Sequence, residues 1–366
     1  MHRDLDARRR RHRTLARTLA RLDDHALTAL LGGEPPRDGW GRSQTAVVTG
    51  HRVFVKRIPV TARELATPES TENLFRLPSY YHYGVGSAGF GATRELLAHR
   101  ATSSWVLDGI AEAFPLLHHH RVVEMPPRTT PAPDLEPYVR YWSGSQRIRR
   151  FMEARASAPA ELLLFLEHVP HTAAVWLTRH GERFPWLLDE ARAALSLMRD
   201  RGMLHMDAQA FNLLTDGERV YVTDFGLAIS RDFALDSEER AFHARHHRYD
   251  EAELYYNLGG QLLRAYRARS DAWRSKLERR YGIGGDDRRV VLRGLLDHLE
   301  AIAARGELQL PLAQVAITLR YRRVIEEMEA FFGAMLAGSK KRAPFDEARL
   351  ADALIEADAQ VVDDAP

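Results

Sequence analysis

Three oxygen-bearing side chains in the second half of the chain have the spacing that phosphoryl transfer requires. Asp207 lies in the run HMDAQAFN, Asn212 follows five positions later, and Asp224 begins the run DFG. One carboxylate can orient a hydroxyl and accept its proton, while a second carboxylate and an amide oxygen can hold Mg²⁺ against nucleotide phosphates. We therefore predict Asp207 as a catalytic base and Asn212 and Asp224 as metal ligands.

These side chains need a short hairpin to bring them together. The intervening run LLTDGERVYVT predicts two short strands that turn at Asp216 and Gly217. Asn212 precedes the first strand and Asp224 follows the second. We therefore expect Asp207, Asn212 and Asp224 to meet at the mouth of one cleft.

A lysine in the first half of the chain is the next candidate. Lys56 lies in VFVKR, where strand alternation places it on the same side as Phe54 and Ile58, so its ammonium group needs a counter-ion. The chain has 48 arginines and only 4 lysines. A lysine here indicates that a compact point charge is needed.

The order of these motifs resembles the protein-kinase-like superfamily, which includes protein kinases and the aminoglycoside and choline phosphotransferases. The resemblance covers roughly residues 39–266. It implies an α+β, bilobal protein-kinase-like fold, with a small β-rich N-lobe and a larger, mostly α-helical C-lobe. It also implies ATP and Mg²⁺ as cofactors.

The resemblance also assigns partners to Lys56. It implies that Lys56 contacts the α- and β-phosphates and pairs with a glutamate on a helix. The run ATRELLAHRATSSWVL predicts a helix over residues 92–107, and Glu95 is its only acid. We therefore include Glu95 with Lys56 and Asp207 among the candidate catalytic residues.

Other parts of the nucleotide site follow from the same resemblance. The strand-like run ELLLFLEHV matches the hinge between lobes, where the backbone of Glu167 and Val169 could contact adenine. The run GWGRSQTAV matches a phosphate-covering loop and offers Gly39, Gly41 and Ser43. It lacks the third glycine of a protein-kinase loop, and its distance to Lys56 is short.

A second glycine-rich run, GVGSAGFG at residues 84–91, matches a dinucleotide-binding fingerprint. A match of this kind needs a βαβ unit with an acid closing the next strand, and the following sequence offers only Glu124, at about twice the expected ~20-residue offset. We therefore interpret the run as a flexible insertion that touches the Glu95 helix or gates the cleft.

These motifs divide the chain into three parts. Residues 1–31 are predicted as a helical N-terminal arm, residues 32–168 as the N-lobe with insertions at 61–91 and 124–160, and residues 169–366 as the C-lobe. The arm carries basic residues from Arg8 to Arg11, which we interpret as a solvated helix face. Prolines between 126 and 137 predict a long loop.

The acceptor remains open between a protein Ser/Thr side chain and a small molecule. Met206 and Gln209 replace the arginine and lysine found in many protein kinases, and no APE motif follows Gly226. These departures favour small-molecule phosphotransferases, whereas DFG itself favours protein kinases. Two alternatives to a kinase also stand: a nucleotide-binding pseudokinase scaffold and a nucleotidyl transferase on the same fold.

Composition excludes other classes of function. The absence of cysteine rules out disulfides, zinc-thiolate sites and thiol catalysis. A formal net charge of +2 does not favour nucleic acid as a partner. Since no apolar run approaches the ~18 residues of a membrane span and no secretory signal is evident, we expect a cytoplasmic protein without membrane contact. The sequence does not indicate an oligomeric state.

Overall fold

A computed structural model of the chain describes residues 2–32, 42–125, 134–338, 341 and 343–363. The structure mixes helix and strand, with 55% of residues in helices and 13% in strands. The strands are β1 Arg42–Val48, β2 His51–Val60, β3 Leu117–Glu124, β4 Ala160–Glu167, β5 His171–Thr172, β6 Met203–Leu204, β7 Leu213–Thr215, β8 Val220–Val222 and β9 Ile229–Ser230.

The helices carry most of the chain after residue 172. They are α1 His2–Ala20, α2 Asp24–Leu31, α3 Ala62–Ala66, α4 Ala92–Leu107, α5 Glu136–Tyr141, α6 Gln146–Ala156, α7 Ala173–Trp176, α8 Phe184–Asp200, α9 Ser237–Ala244, α10 Tyr249–Arg267, α11 Asp271–Tyr281, α12 Arg288–Asp297, α13 Leu299–Ala304, α14 Leu312–Arg320, α15 Arg322–Ala337 and α16 Glu347–Asp363.

The first four strands form one antiparallel sheet in the order β1-β2-β4-β3. Alternate side chains of a strand point to opposite faces, and both faces of this sheet are apolar. Val53, Val55 and Phe165 face one hydrophobic cluster, while Ile58 and Leu164 face another. β1 and β2 form a hairpin that turns at Thr49 and Gly50, and its strands need cover on both sides.

Helices α1 and α2 cover the first face, and Leu15, Leu19 and Leu27 supply the contact. The helical arm predicted for residues 1–31 is present as these two helices. The interpretation of its basic run as a solvated face was wrong at Arg8. Arg8 is buried and its guanidinium group lies 2.7 Å from Glu167, because Arg8 completes the hydrogen bonds of that buried strand end.

Helix α4 covers the second face, where Ala92 and Leu96 contact the sheet. Its bounds match the predicted helix. The carboxylate of Glu64, on the short helix α3, accepts a hydrogen bond of 2.7 Å from the backbone N–H of Ala92. Glu64 also closes a capping box with Thr61. Helix α3 begins the segment that is predicted as an insertion at residues 61–91.

The region after residue 172 is a helical assembly around α10, which contacts α8, α12, α14, α15 and α16. The short hairpin of β7 and β8 is the one predicted around Asp216 and Gly217. Its strand β8 packs against α8 of this assembly, and the hairpin lies between Asn212 and Asp224. Among the described residues, no helix has both the length and the apolar character that a membrane span needs.

The two predicted insertions pack on each other through aromatic rings. Tyr81 is fully buried, with its ring centroid 4.8 Å from that of Trp142, and Phe75 lies 5.1 Å from Phe151. The long loop predicted between residues 126 and 137 ends earlier than expected. Pro137 lies in the first turn of α5, a position that suits proline because its missing N–H has no helical partner there.

Candidate active site

A cleft of about 680 Å³ lies where the sheet faces the loops of the helical assembly. Eight of the ten side chains or backbone segments predicted for the site line this cleft: Ser43, Lys56, Glu95, Glu167, Val169, Asp207, Asn212 and Asp224. The two other predicted residues, Gly39 and Gly41, lie outside the described residues. All the predicted site residues that the structure describes therefore line one cleft, although they come from distant parts of the chain.

Lys56 joins two carboxylates at the back of the cleft. Its Nζ atom lies 2.5 Å from Oε1 of Glu95 and 2.7 Å from Oδ1 of Asp224. Burial disfavours the charge on Lys56, but the carboxylates of Asp224 and Glu95 outweigh burial and raise its pKa. Burial likewise opposes the charge of Asp224, and Lys56 lowers the pKa of that carboxyl. The lysine is therefore held as a cation, and Asp224 as an anion.

Asp207 has different neighbours. The side-chain amide of Gln209 donates to Oδ1 at 3.0 Å, and that of Asn212 donates to Oδ2 at 2.8 Å. Burial raises the pKa of Asp207 to about 6, and the nearby carboxylate of Asp224 adds to the effect. The amides orient this carboxylate without supplying a full positive charge, so it remains basic enough to accept a proton near neutral pH.

Asn212 and Asp224 fit the chemistry of a magnesium site. Asn212 uses its amide nitrogen to donate to Asp207, which leaves the amide oxygen as the atom suited to a hard cation. The side chain of Asp224 is 47% exposed toward the cleft. Across the described ranges, no three His, Asp or Glu side chains form a metal-binding group. Two protein ligands suit Mg²⁺, which takes its remaining oxygens from phosphates and water.

Two acidic side chains of helix α10 accept hydrogen bonds from the backbone of the loop around Asp207. The carboxylate of Asp250 accepts from the backbone N–H groups of His205 and Met206 at 2.6 and 2.7 Å, and Glu253 accepts from that of Ala208 at 2.7 Å. Sequence reasoning missed both acids. Their spacing of three on a helix places them on one face, but acids at that spacing are more often solvated.

Two residues of the motifs have left-handed backbones. Met206 has a φ of 65° and Asp224 a φ of 66°. A non-glycine residue in this region costs about 1 kcal/mol or more, so the surrounding structure must enforce it. At Met206 the enforcing group is Asp250, which accepts the Met206 N–H. Backbone strain therefore accumulates at both ends of the hairpin that carries the predicted metal ligands.

A column of rings connects the motifs through the core. The ring of His205 lies 5.5 Å from that of Phe225, and Phe225 lies 4.7 Å from His99 on α4. His205 accepts from the N–H of Asp207 through Nδ1 and donates from Nε2 to the carbonyl of Thr223. The column thus ties the Asp207 loop, the DFG run and the Glu95 helix into one packed unit.

The glycine-rich run forms a wall of the cleft. We call residues 82–91 the glycine wall; Ser87, Ala88 and Gly89 within it line the cleft. The N–H of Phe90 donates to the carbonyl of Gly226 at 3.1 Å. Gly91 directly precedes α4, so the run leads straight into the Glu95 helix.

At the opposite end of the cleft lies the predicted hinge. Glu167 ends β4, and its carboxylate is held by Arg8 and by the N–H of Leu116 at 3.2 Å. Val169 follows in the extended stretch before β5 and also lines the cleft. Nothing in the run RRRR distinguishes the one arginine that is buried, so the sequence does not predict the contact of Arg8 with Glu167.

Two comparisons with known proteins do not identify a family for this chain. A scan against models of protein families finds no match. A search of curated proteins also finds no significant match.

Proposed function

We propose that this chain is an ATP- and magnesium-dependent phosphotransferase with a bilobal protein-kinase-like fold. In this proposal the sheet with α4 is the smaller lobe, and the helical assembly is the larger one. The observation that carries the proposal is the position of Lys56 between Glu95 and Asp224, in a cleft also lined by Asp207 and Asn212. A lysine held charged by two acids is suited to bind phosphate oxygens.

The acceptor hydroxyl would lie against Asp207. Its oxygen attacks the γ-phosphorus of ATP, the bond from that phosphorus to the β-γ bridging oxygen breaks, and the hydroxyl proton passes to the Asp207 carboxylate. Gln209 and Asn212 orient that carboxylate. The products are the phosphorylated acceptor and ADP.

The nucleotide would be held mainly by the smaller lobe. Lys56 neutralises negative charge on the phosphates, while the backbone of Glu167 and Val169 faces the adenine end of the cleft. Mg²⁺, held by Asn212 and Asp224, supplies charge neutralisation for the phosphates. Ser43 on β1 offers a hydroxyl to the same end of the nucleotide as Lys56, since the two residues are paired across β1 and β2.

A comparison of labels tests this function. The purified chain is incubated with Mg²⁺, cell extract, and ATP labelled at either the γ- or the α-phosphate. The proposal expects transfer of the γ-label alone, with ADP as the other product. Transfer of the α-label would indicate a nucleotidyl transferase, and nucleotide binding without any transfer would indicate a pseudokinase scaffold.

A further inference from the structure

The glycine wall touches the proposed catalytic base. A Cβ atom added to Gly84 would lie 2.1 Å from Oδ1 of Asp207, so only glycine fits there without moving the carboxylate. Gly84 therefore closes one side of Asp207, whose oxygens also receive the amides of Gln209 and Asn212. An acceptor hydroxyl must reach Asp207 from the side that remains open, which is the cleft.

Anchors directly after the DFG run and on the helical assembly fix this wall in place. The ring of His82 donates from Nδ1 to the carbonyl of Leu227 at 3.0 Å. The hydroxyl of Tyr83 bonds to Nε2 of His246 at 2.8 Å, and the Tyr83 side chain is buried. Opening the wall would break these contacts and expose both rings to water.

The second insertion clamps the wall from outside. On α5, the Tyr138 hydroxyl donates to the carbonyl of Gly86 at 3.0 Å, and the Tyr141 hydroxyl donates to that of Val85 at 2.5 Å. The Tyr81 hydroxyl accepts from the N–H of Ala88 at 3.1 Å and lies 2.5 Å from that of Tyr138. Both insertions thus contribute to one closed side of the cleft.

We infer that the acceptor is a small polar hydroxyl compound that enters the nucleotide cleft, and that the glycine wall forms its binding surface. The inference rests on the proposed function. The cleft, at about 680 Å³, is within the size range of small-ligand sites. The wall side offers the Ser87 hydroxyl and the guanidinium of Arg155, a buried residue of α6 that also lines the cleft. Because the wall lies against one side of Asp207, we expect it to obstruct a serine or threonine carried on a folded protein.

The experiment divides the acceptor pool by size. Cell extract is separated into a small-molecule filtrate and a desalted protein fraction, and each is incubated with the chain, Mg²⁺ and γ-labelled ATP. The expected result is label on a compound of the filtrate, with none on protein. Binding of Mg-ATP by the chain is measured separately by calorimetry.

A double variant tests the role of the wall. Tyr138→Phe with Tyr141→Phe removes two hydroxyls that hold the wall but leaves the aromatic packing. We expect about a tenfold lower labelling rate at limiting filtrate, because the acceptor surface loosens, while Mg-ATP affinity stays unchanged. Tyr281→Phe is the matched control: the Tyr281 hydroxyl, at the end of α11, donates to Glu307 in the loop between α13 and α14, and neither residue lines the cleft. The labelling rate of this variant should equal that of the wild type.

Two outcomes would overturn the inference. The absence of label from the filtrate would do so: label on the protein fraction would then overturn the inference alone, whereas no label on either fraction would overturn the proposed function with it. A gain of label on protein in the Tyr138→Phe, Tyr141→Phe variant would show that the wall is an inhibitory lid over a protein-kinase site. A Gly84→Ala variant that folds should lose transfer and keep Mg-ATP binding, since its methyl group displaces only the Asp207 carboxylate.

Discussion

Asp207 and Asp224 line the same cleft in opposite electrostatic surroundings. Asp224 lies 2.7 Å from the lysine ammonium, which lowers the pKa of its carboxyl. Asp207 is bonded to neutral amides, and burial raises its pKa to about 6. This difference would suit two identical side chains to the different tasks that we propose for them. The acid beside the cation suits metal binding, and the acid among amides suits proton transfer.

Removing the positive charge of Lys56 should slow transfer the most, because that charge is what distinguishes the surroundings of Asp224 from those of Asp207. Lys56→Met leaves Glu95 and Asp224 facing each other without a shared positive charge, and it removes the proposed phosphate contact. We expect the initial rate of γ-phosphoryl transfer to fall by about 10²- to 10³-fold. Lys276→Met is the matched control, since Lys276 is a half-exposed lysine on α11. If the two variants transferred phosphate equally well, Lys56 would have no role in the reaction.

The support beneath Asp207 can be weakened separately. In Asp250→Asn, one of the two backbone N–H groups of His205 and Met206 loses its acceptor. We expect a loss of about 1–3 kcal/mol in unfolding free energy and about a tenfold slower transfer, as the Asp207 loop loses its left-handed turn.

The neighbouring acid on the same helix provides the control for this change. Glu251 pairs with Arg192 and Arg199, away from the loop of Asp207. Glu251→Gln should therefore lower the free energy of unfolding, while the folded protein should transfer phosphate at the wild-type rate. Equal slowing in both variants would mean that α10 acts through general stability alone.

The pH dependence of transfer reports on Asp207 directly. A base must be deprotonated to act, so the rate should rise with pH through a midpoint near 6 and then level off. Gln209→Lys places a cation where an amide now lies 3.0 Å from the carboxylate. A cation favours the ionised form, so the midpoint should move to lower pH. A midpoint that stayed in place or moved upward would argue against Asp207 as the base.

The smallest expected effect concerns the ring column that joins the two aspartate regions. His99 is fully buried, and within the described residues neither of its ring nitrogens has a hydrogen-bond partner. His99→Leu should therefore stabilise the fold by about 1 kcal/mol, measured by denaturant unfolding at neutral pH. Destabilisation by this variant would mean that the imidazole makes a favourable polar contact.

The advantage of His99→Leu should grow in acid. Burial lowers the pKa of His99 from its usual 6.5 to about 3. Between pH 6.5 and about pH 3, His99 is protonated in the unfolded chain but stays neutral in the folded protein. Acid therefore favours unfolding of the wild type over this range. The leucine variant has no such group, so it does not lose this stability in acid.

The sequence made the local parts of this site visible. Asp207, Asn212 and Asp224 are joined by a short hairpin, and strand alternation in VFVKR places Lys56 among apolar neighbours, where it needs a counter-ion. These inferences use residues close in the chain or a periodic pattern, whereas the pairing of Lys56 with Glu95 was implied by the resemblance to the protein-kinase-like superfamily. The structure then brings Lys56 and Glu95 to within 2.5 Å, as predicted.

The long-range supports could not be predicted in the same way. Asp250 lies 45 residues beyond His205, and no pattern in α10 separates it from the solvated acids of other helices. Arg8 reaches Glu167 across 159 positions of chain. Gly84 lies in a run whose nearest motif match pointed to dinucleotides. Contacts of this kind depend on tertiary packing, which local periodicity does not encode.

The division of roles between the two aspartates is tested most directly by calorimetric titration of Mg-ATP into Asp207→Ala and Asp224→Ala. We expect Asp207→Ala to bind Mg-ATP with about wild-type affinity while its transfer rate falls by about 10²- to 10⁴-fold. We expect Asp224→Ala to lose magnesium-dependent binding. Retained magnesium-dependent binding in Asp224→Ala, or unchanged transfer in Asp207→Ala, would contradict the account.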